Sequence, residues 1–175
     1  MRVFGLAGWS GSGKTTLIAE IIPYLVRRGV TVSTIKHAHH GFDIDQPGKD
    51  SWKHRAAGAT EVMVASGTRW ALLHELRDKP EPDLEELATR LEPVDLLIVE
   101  GFKRHRHPKM EIIRPSLGKP RLYLQDSAIL AVALAEALDA SEATALHLPA
   151  FGLGAIAEIA EFILAHAAEL RGIGA

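Results

Sequence analysis

A nine-residue segment near the start of the chain constrains the fold more than any other part of the sequence. Gly8–Thr16, GWSGSGKTT, matches the pattern G-x-x-x-x-G-K-[ST] in full and follows the apolar run Val3–Ala7. In a strand–loop–helix arrangement, glycines let successive backbone N–H groups turn toward an anion. The N-terminus of the following helix adds partial positive charge. The segment therefore predicts a phosphate-binding loop, or P-loop, in an α/β domain.

Two side chains of this loop have predicted chemical roles. Lys14 supplies a full positive charge to the β- and γ-phosphates of a nucleotide, and Thr15 offers its hydroxyl to Mg²⁺. The predicted nucleotide-binding residues are Gly8, Trp9, Ser10, Gly11, Ser12, Gly13, Lys14, Thr15 and Thr16. Of these, Lys14 is also predicted to act in catalysis and Thr15 in metal binding.

The rest of the chain alternates strand and helix patterns. Apolar residues at helical spacing predict a helix from Lys14 to Val26, and β-branched residues predict a strand at Val30–Ile35. Further predicted elements are a helix at 51–57, hairpin strands at 61–65 and 69–73, a helix at 83–91, strands at 96–99, 110–113, 130–133 and 145–148, and a helix at 153–170. This alternation predicts a three-layer P-loop NTPase fold with a mostly parallel sheet and a small antiparallel hairpin.

Length and composition narrow the class of protein. The chain has 175 residues, which is enough for a single P-loop nucleotide-binding domain spanning residues 1–175. A net charge of −2 argues against broad nucleic-acid binding, and the absence of cysteine excludes disulfides, zinc ribbons and thiol catalysis. No signal peptide or membrane-spanning segment is evident, so we expect a cytoplasmic protein that binds neither nucleic acid nor membrane.

The strand at 96–99 is flanked by two acids, of which only one can serve a metal at the P-loop. At about 3.3 Å per residue, Asp95 and Glu100 lie roughly 16 Å apart. Ligands in parallel sheets bind outside the carboxyl ends of the strands, so Glu100 is the predicted metal ligand and catalytic carboxylate. Asp95 is expected to begin the strand or cap a neighbour. Gly101 would let the backbone approach the γ-phosphate.

The loop after the second strand, KHAHHGFDIDQPGKDS, lies where a nucleotide-sensing switch is expected. Asp43 and Asp45 flank Ile44, so in an extended chain the two carboxylates share one face while Ile44 points inward. Asp43 is a predicted metal ligand, and Asp45 is predicted to position an attacking water. A solvated acidic loop explains the same pattern equally well.

The same loop contains three histidines. His37, His39 and His40 could bind a transition metal, but no fourth ligand is evident in the sequence. A solvated cluster, or one close to the phosphates, is therefore favoured.

A basic stretch, FKRHRHPK, follows Gly101. Lys103, Arg104 and Arg106 are predicted to receive a phosphorylated ligand or an acidic partner at the sheet edge that carries the P-loop. An exposed loop without a binding role is the alternative interpretation.

Together these segments resemble one family. GWSGSGKTTL, IKHAHHGFDIDQPGKDS, AGA, RWAL and VEGFK, in this order, are similar to the molybdopterin-guanine dinucleotide biosynthesis adapter proteins, MobB, over roughly residues 1–115. The resemblance implies a P-loop fold shared with nucleotide-dependent metallochaperones and dethiobiotin synthetase. It also implies GTP and Mg²⁺ as cofactors, weak GTP hydrolysis and a homodimer. The implied partner is the guanylyltransferase that attaches GMP to molybdopterin, and direct contact with molybdopterin is left open. The family's site residues correspond to Gly8–Thr16, Asp43, Asp45 and Glu100.

Two other classes of function remain open from the sequence. The chain could be a P-loop small-molecule kinase or ATP-dependent ligase, with Arg104 and Arg106 in place of a lid. It could also be a metallochaperone GTPase, which only the histidines suggest. Because no Asn-Lys-x-Asp motif is present, the residues do not identify the base, and GTP follows from the resemblance alone.

Overall fold

The computed structural model describes residues 1–38, 41–103 and 105–170, which form two compact units. The first unit combines residues 1–37 with the chain from Leu84 onward, and the second comprises residues 38–83. No helix within these described ranges has the length and apolar character that a membrane crossing requires. That the whole chain acts as one nucleotide-binding domain stays a prediction.

The elements follow the predicted alternation. In chain order they are β1 (Arg2–Ala7), α1 (Lys14–Arg27), β2 (Val32–Lys36), α2 (Asp50–Ala56), β3 (Glu61–Ala65), β4 (Trp70–His74), α3 (Leu84–Ala88), β5 (Leu96–Glu100), β6 (Lys109–Ile113), β7 (Ile129–Leu134), α4 (Ala140–Ala145), β8 (Ala150–Gly152), α5 (Ile156–His166) and β9 (Ala168–Glu169). Short 3-10 turns occupy Pro115–Leu117 and Leu122–Leu124.

The first unit is built on a mostly parallel sheet of order β2-β5-β1-β6-β7-β8. All neighbours along this path are parallel, and β9 pairs antiparallel with β1. The carboxyl ends of the six parallel strands therefore share one edge, which is where ligands bind in such sheets. The second unit contains the predicted antiparallel hairpin, β3 with β4. The predicted fold class is confirmed.

Helices cover both faces of the large sheet. Phe4 and Leu6 of β1 pack against α1 and α5, which bury apolar stripes at helical spacing. Val3 points to the opposite face, where Leu84 and Ala88 of α3 pack. Since successive strand residues alternate between faces, β1 contributes to both cores. The α1 stripe consists of Leu17, Ile18, Ile21 and Leu25, and the α5 stripe of Ile159, Ala160 and Ile163.

The C-terminal part of the sequence prediction needs correction. The predicted strand at 145–148 is wrong, because a helix capped by Asp139 occupies 140–145 and the strand follows at Ala150–Gly152. The predicted helix at 153–170 is also wrong at both ends, since α5 spans Ile156–His166. After α5, strand β9 pairs with Arg2 and Val3 at the start of β1, whereas β6 pairs only with Gly5–Ala7 of that strand. The helix predicted at 83–91 is shorter than expected and ends at Ala88.

Strand β6 carries buried polar side chains toward the α3 side of the sheet. The ammonium of Lys109, 1% exposed, lies 2.7 Å from Oδ2 of Asp126. The carboxylate of Glu111 accepts the backbone N–H groups of Leu122 and Tyr123, each at 2.9 Å, and burial raises its pKa. These two side chains fix the segments that pass over this face.

His107, just before β6, is buried without a hydrogen-bond partner on either ring nitrogen within the described chain. Burial, followed by the nearby charges of Lys109 and His105, lowers the pKa of His107 from 6.5 to about 3. A folded-state pKa below the unfolded value means that stability is intact above about pH 6.5 and is lost as the pH falls toward 3.

We therefore expect His107→Met to reduce the acid sensitivity of the fold. Between pH 7.5 and pH 5 the native chain should lose about 1–2 kcal/mol more unfolding free energy than the variant, since each unit of pKa shift corresponds to about 1.4 kcal/mol. Urea denaturation at the two pH values measures this difference. Equal losses in both proteins would contradict the assignment of His107 as a buried neutral imidazole.

Candidate phosphate-binding site

The loop between β1 and α1 depends on glycine at defined positions. Gly8, Gly11 and Gly13 have φ values of 146°, 80° and 109°, which other residues rarely adopt. A Cβ atom on Gly8 would lie only 2.7 Å from the carbonyl oxygen of Ile112. The loop therefore requires glycine for backbone conformation and for its close approach to β6.

Two polar groups of the loop suit an anion. The ammonium of Lys14 donates to the carbonyl oxygens of Gly8 and Trp9, at 3.0 and 2.9 Å. The hydroxyl of Ser12 is buried and has no hydrogen-bond partner within the described residues. Both groups can turn to a phosphate without breaking a contact outside the loop.

The surroundings of Lys14 lower its pKa. Burial lowers the pKa of Lys14 most, the carboxylate of Glu100 opposes that shift, and the ammonium groups of Lys103 and Lys36 lower the pKa further. An arriving phosphate would favour the charged form, since a nearby negative charge stabilises an ammonium group.

Glu100 ends β5 beside the first turn of α1. The hydroxyl of Thr15 donates to its carboxylate, with distances of 3.1 and 3.3 Å to the two oxygens. The ammonium of Lys36, at the end of β2, lies 3.4 Å from Oε1. A hydroxyl and a carboxylate are oxygen donors of the kind Mg²⁺ prefers, so the residues fit this ion.

Asp95 lies at the opposite end of β5 and has a structural partner. Its Oδ2 accepts hydrogen bonds from the hydroxyl and the backbone N–H of Thr31, at 2.7 and 2.8 Å. These bonds lower the pKa of Asp95. The carboxylate joins the start of β5 to the segment before β2, in the capping role expected from the sequence.

The turn after Glu100 is tightly constrained. Gly101 and Phe102 have positive φ values of 93° and 46°, and a Cβ atom on Gly101 would approach Cβ of His37 to 3.0 Å. The ring of Phe102 is buried and lies 4.8 Å from the ring of His37. Any larger residue at position 101 would therefore disturb the ends of both β2 and β5.

In the second unit, the carboxylates of Asp43 and Asp45 are both held by Arg55. Its Nη2 donates to Asp43 at 2.8 Å and its Nε donates to Asp45 at 3.2 Å. The expectation that Ile44 points inward is wrong, because its side chain is 69% exposed. A metal or water-positioning role for the two carboxylates stays a prediction.

The structure describes only part of the histidine cluster and of the basic stretch. His39, His40 and Arg104 lie outside the described residues. Within the described ranges, no group of three or more histidine, aspartate or glutamate side chains is arranged to hold a metal ion. In the basic stretch, Arg106 is exposed, whereas the ammonium of Lys103 lies over the ring of Trp9, 4.4 Å from its centroid.

Sequence reasoning missed an arginine beside the P-loop. The Nε of Arg114 donates to the carbonyl oxygen of Gly11 at 3.2 Å, and its Nη1 donates to Glu136 at 3.1 Å. Glu136 is in turn fixed by the backbone and hydroxyl of Ser116. Arg114 directly follows β6, so the rule about carboxyl ends of strands could have drawn attention to it.

Comparisons with known proteins identify relatives of the chain. The family model of the molybdopterin guanine dinucleotide synthesis protein B matches residues 3–135. The molybdopterin-guanine dinucleotide biosynthesis adapter protein of Escherichia coli (strain K12) is 45% identical over 134 residues, covering 75% of this chain and 77% of that protein. The adapter protein of Haemophilus influenzae is 42% identical over 134 residues, covering 75% and 73%.

A solved structure extends the similarity to the fold. The crystal structure of a molybdopterin-guanine biosynthesis protein B superposes with a TM-score of 0.71 at 30% identity, covering 93% of this chain and 98% of that one. The match therefore includes the C-terminal strands and helices, which the sequence motifs did not reach.

Proposed function

This chain belongs to the molybdopterin guanine dinucleotide synthesis protein B (MobB) family, and from that premise we propose a GTP-dependent role in the family's pathway. The chain is an adapter protein of molybdopterin-guanine dinucleotide biosynthesis. In our proposal it binds GTP with Mg²⁺ and, as a homodimer, assists the guanylyltransferase that joins GMP to molybdopterin.

The observation that carries the proposal is the meeting of Lys14, Thr15 and Glu100 at one edge of the sheet. The Thr15–Glu100 contact of 3.1 Å brings together two oxygen donors for a cation, beside an ammonium group directed into the P-loop. Phosphates would lie against the loop N–H groups, with Lys14 on the β- and γ-phosphates. Thr15 and Glu100 would hold Mg²⁺, which when bound neutralises phosphate charge.

The two alternative functions are not favoured, because the matching family model and the curated relatives are those of molybdopterin-guanine dinucleotide biosynthesis. For a kinase or ligase lid, Arg106 is an exposed side chain on a loop, and Arg104 lies outside the described residues. For a metallochaperone, two of the three predicted histidines, His39 and His40, also lie outside the described residues.

We expect Thr15→Ala and Glu100→Gln to weaken the Mg²⁺ dependence of GTP binding. Both side chains would act through the ion, so affinity should fall about tenfold with Mg²⁺ and change little in EDTA, a loss of about 1.4 kcal/mol. Calorimetric titration of GTP under the two conditions measures this difference. Thr15→Ser keeps the hydroxyl and is the matched control.

Asp95→Asn tests the orientation of β5 in the same assay. Asp95 bonds Thr31 at the far end of the strand, so this variant should leave the Mg²⁺ dependence unchanged. A larger effect from Asp95→Asn than from Glu100→Gln would overturn the proposed metal site.

The proposed function is tested by capture of its partner. A tagged chain loaded with GTP and Mg²⁺ should retain the guanylyltransferase and bound pterin, whereas Lys14→Ala should retain less of both. Purified guanylyltransferase, mixed with either protein and analysed by size-exclusion chromatography, measures the complex directly. Equal amounts of complex with and without GTP would contradict the proposal that GTP is required for binding to the guanylyltransferase.

A further inference from the structure

Two lysines lie against the tryptophan of the P-loop. The ammonium groups of Lys103 and Lys119 are 4.4 and 5.8 Å from the ring centroid of Trp9. The indole N–H of Trp9 donates to the carbonyl oxygen of Pro120 at 2.8 Å. The ring is therefore fixed toward the segment after β6, and an ammonium group from each of two segments lies against it.

Neither Lys103 nor Lys119 forms an ion pair with a carboxylate of the described residues, although the charge of Lys103 acts on the buried carboxylate of Glu111. Glu136 and Glu142 lie on neighbouring segments. Those two acids are bound instead to Arg114 and Arg121 respectively. Burial lowers the pKa of Lys14 most, and the charge of Lys103, which lies over Trp9 of the P-loop, lowers it further. An anion beside Trp9 would relieve this repulsion.

Buried side chains hold the backbone that carries both lysines. Lys109, which is 1% exposed, donates from its ammonium to the carbonyl oxygen of Lys103 at 3.3 Å. Glu111, also 1% exposed, accepts the N–H groups of Leu122 and Tyr123, just after Lys119 and Pro120. Buried polar side chains of β6 are thus hydrogen-bonded to the two segments that carry Lys103 and Lys119.

From this arrangement we propose that Lys103 and Lys119 form a second phosphate site beside the P-loop. Its ligand is the phosphate monoester of a small molecule other than the nucleotide, because a monoester dianion matches two ammonium groups. The P-loop N–H groups and Lys14 would hold the nucleotide phosphates inside the loop, while the ring of Trp9 is bonded to the segment after β6. The inference rests on the proposed function, in which a phosphorylated pterin is such a molecule.

The test uses inorganic phosphate as the probe. The full chain is first saturated with Mg²⁺ and a non-hydrolysable GTP analogue, so that the position of the γ-phosphate is filled. Phosphate is then titrated at low salt and followed by ³¹P nuclear magnetic resonance. We expect one phosphate to bind per chain, and Lys103→Gln/Lys119→Gln to weaken that binding at least tenfold.

The control removes two positive charges elsewhere. Lys49→Gln/Lys79→Gln changes exposed lysines of the second unit and should leave phosphate binding unchanged. Equal weakening by both pairs would mean nonspecific attraction and would overturn the proposal. Circular dichroism checks that both double variants are folded.

Three outcomes separate this inference from the proposed function. If the GTP analogue does not bind at all, the proposed function fails. If the analogue binds but phosphate then does not, only the second site fails. If Lys103→Gln/Lys119→Gln weakens binding of the analogue itself as strongly as binding of phosphate, the lysines serve the γ-phosphate and the second site is likewise overturned.

Discussion

Replacing Lys14 with alanine should weaken GTP binding about ten- to hundredfold. In the structure the ammonium of Lys14 is directed across the loop, bonded to the carbonyl oxygens of Gly8 and Trp9 at 3.0 and 2.9 Å. A phosphate would replace these neutral acceptors with charged ones, and a hydrogen bond between charged groups contributes about 1.5–3 kcal/mol. Calorimetric titration of GTP and GDP at one fixed salt concentration measures the loss.

Lys14→Gln separates charge from hydrogen bonding in this experiment. Glutamine can still donate to the carbonyl oxygens of the loop, so the variant should keep the loop conformation and lose affinity nearly as far as Lys14→Ala. Unchanged affinity in both variants would show that the loop does not bind nucleotide phosphates.

Replacing Asp126 with asparagine should destabilise the fold by about 2–3 kcal/mol. The ammonium of Lys109 is 1% exposed, and its only carboxylate partner among the described residues is Asp126, at 2.7 Å. Removing one partner of a buried ion pair leaves an uncompensated charge, which costs about 3–5 kcal/mol when burial is complete. Partial exposure of Asp126, 28%, reduces that cost. Urea denaturation at pH 7.5 measures it.

A double-mutant cycle tests whether the loss of unfolding free energy arises from the unpaired charge of Lys109. Asparagine can still accept the N–H of Ala128, which Asp126 bonds at 2.9 Å, so the local turn is kept. Lys109→Met removes the charge, and the variant Asp126→Asn/Lys109→Met should therefore be more stable than Asp126→Asn alone. If the double variant is less stable than either single one, the cost arises from packing and not from charge.

The fold and part of the candidate site follow from local patterns. The P-loop motif, the apolar run of β5 and the helical spacing of α1 involve residues close in the chain, and each predicted its element correctly. The position of Glu100 followed from strand direction alone, since a parallel sheet binds ligands at one edge. Weaker patterns failed near the C-terminus, where Ala140–Ala145 is helical because Asp139 caps it.

What the sequence by itself determined is a glycine-rich P-loop between a strand and a helix, in an α/β layered fold. The tertiary structure alone decided which distant side chains surround that loop. Arg114 donates to Gly11 across 103 positions of the chain, and Lys119 reaches the ring of Trp9 only because the segment after β6 returns to the P-loop. Strand order sets these contacts, and the alternation of apolar and polar residues within a strand specifies its faces but not its neighbours.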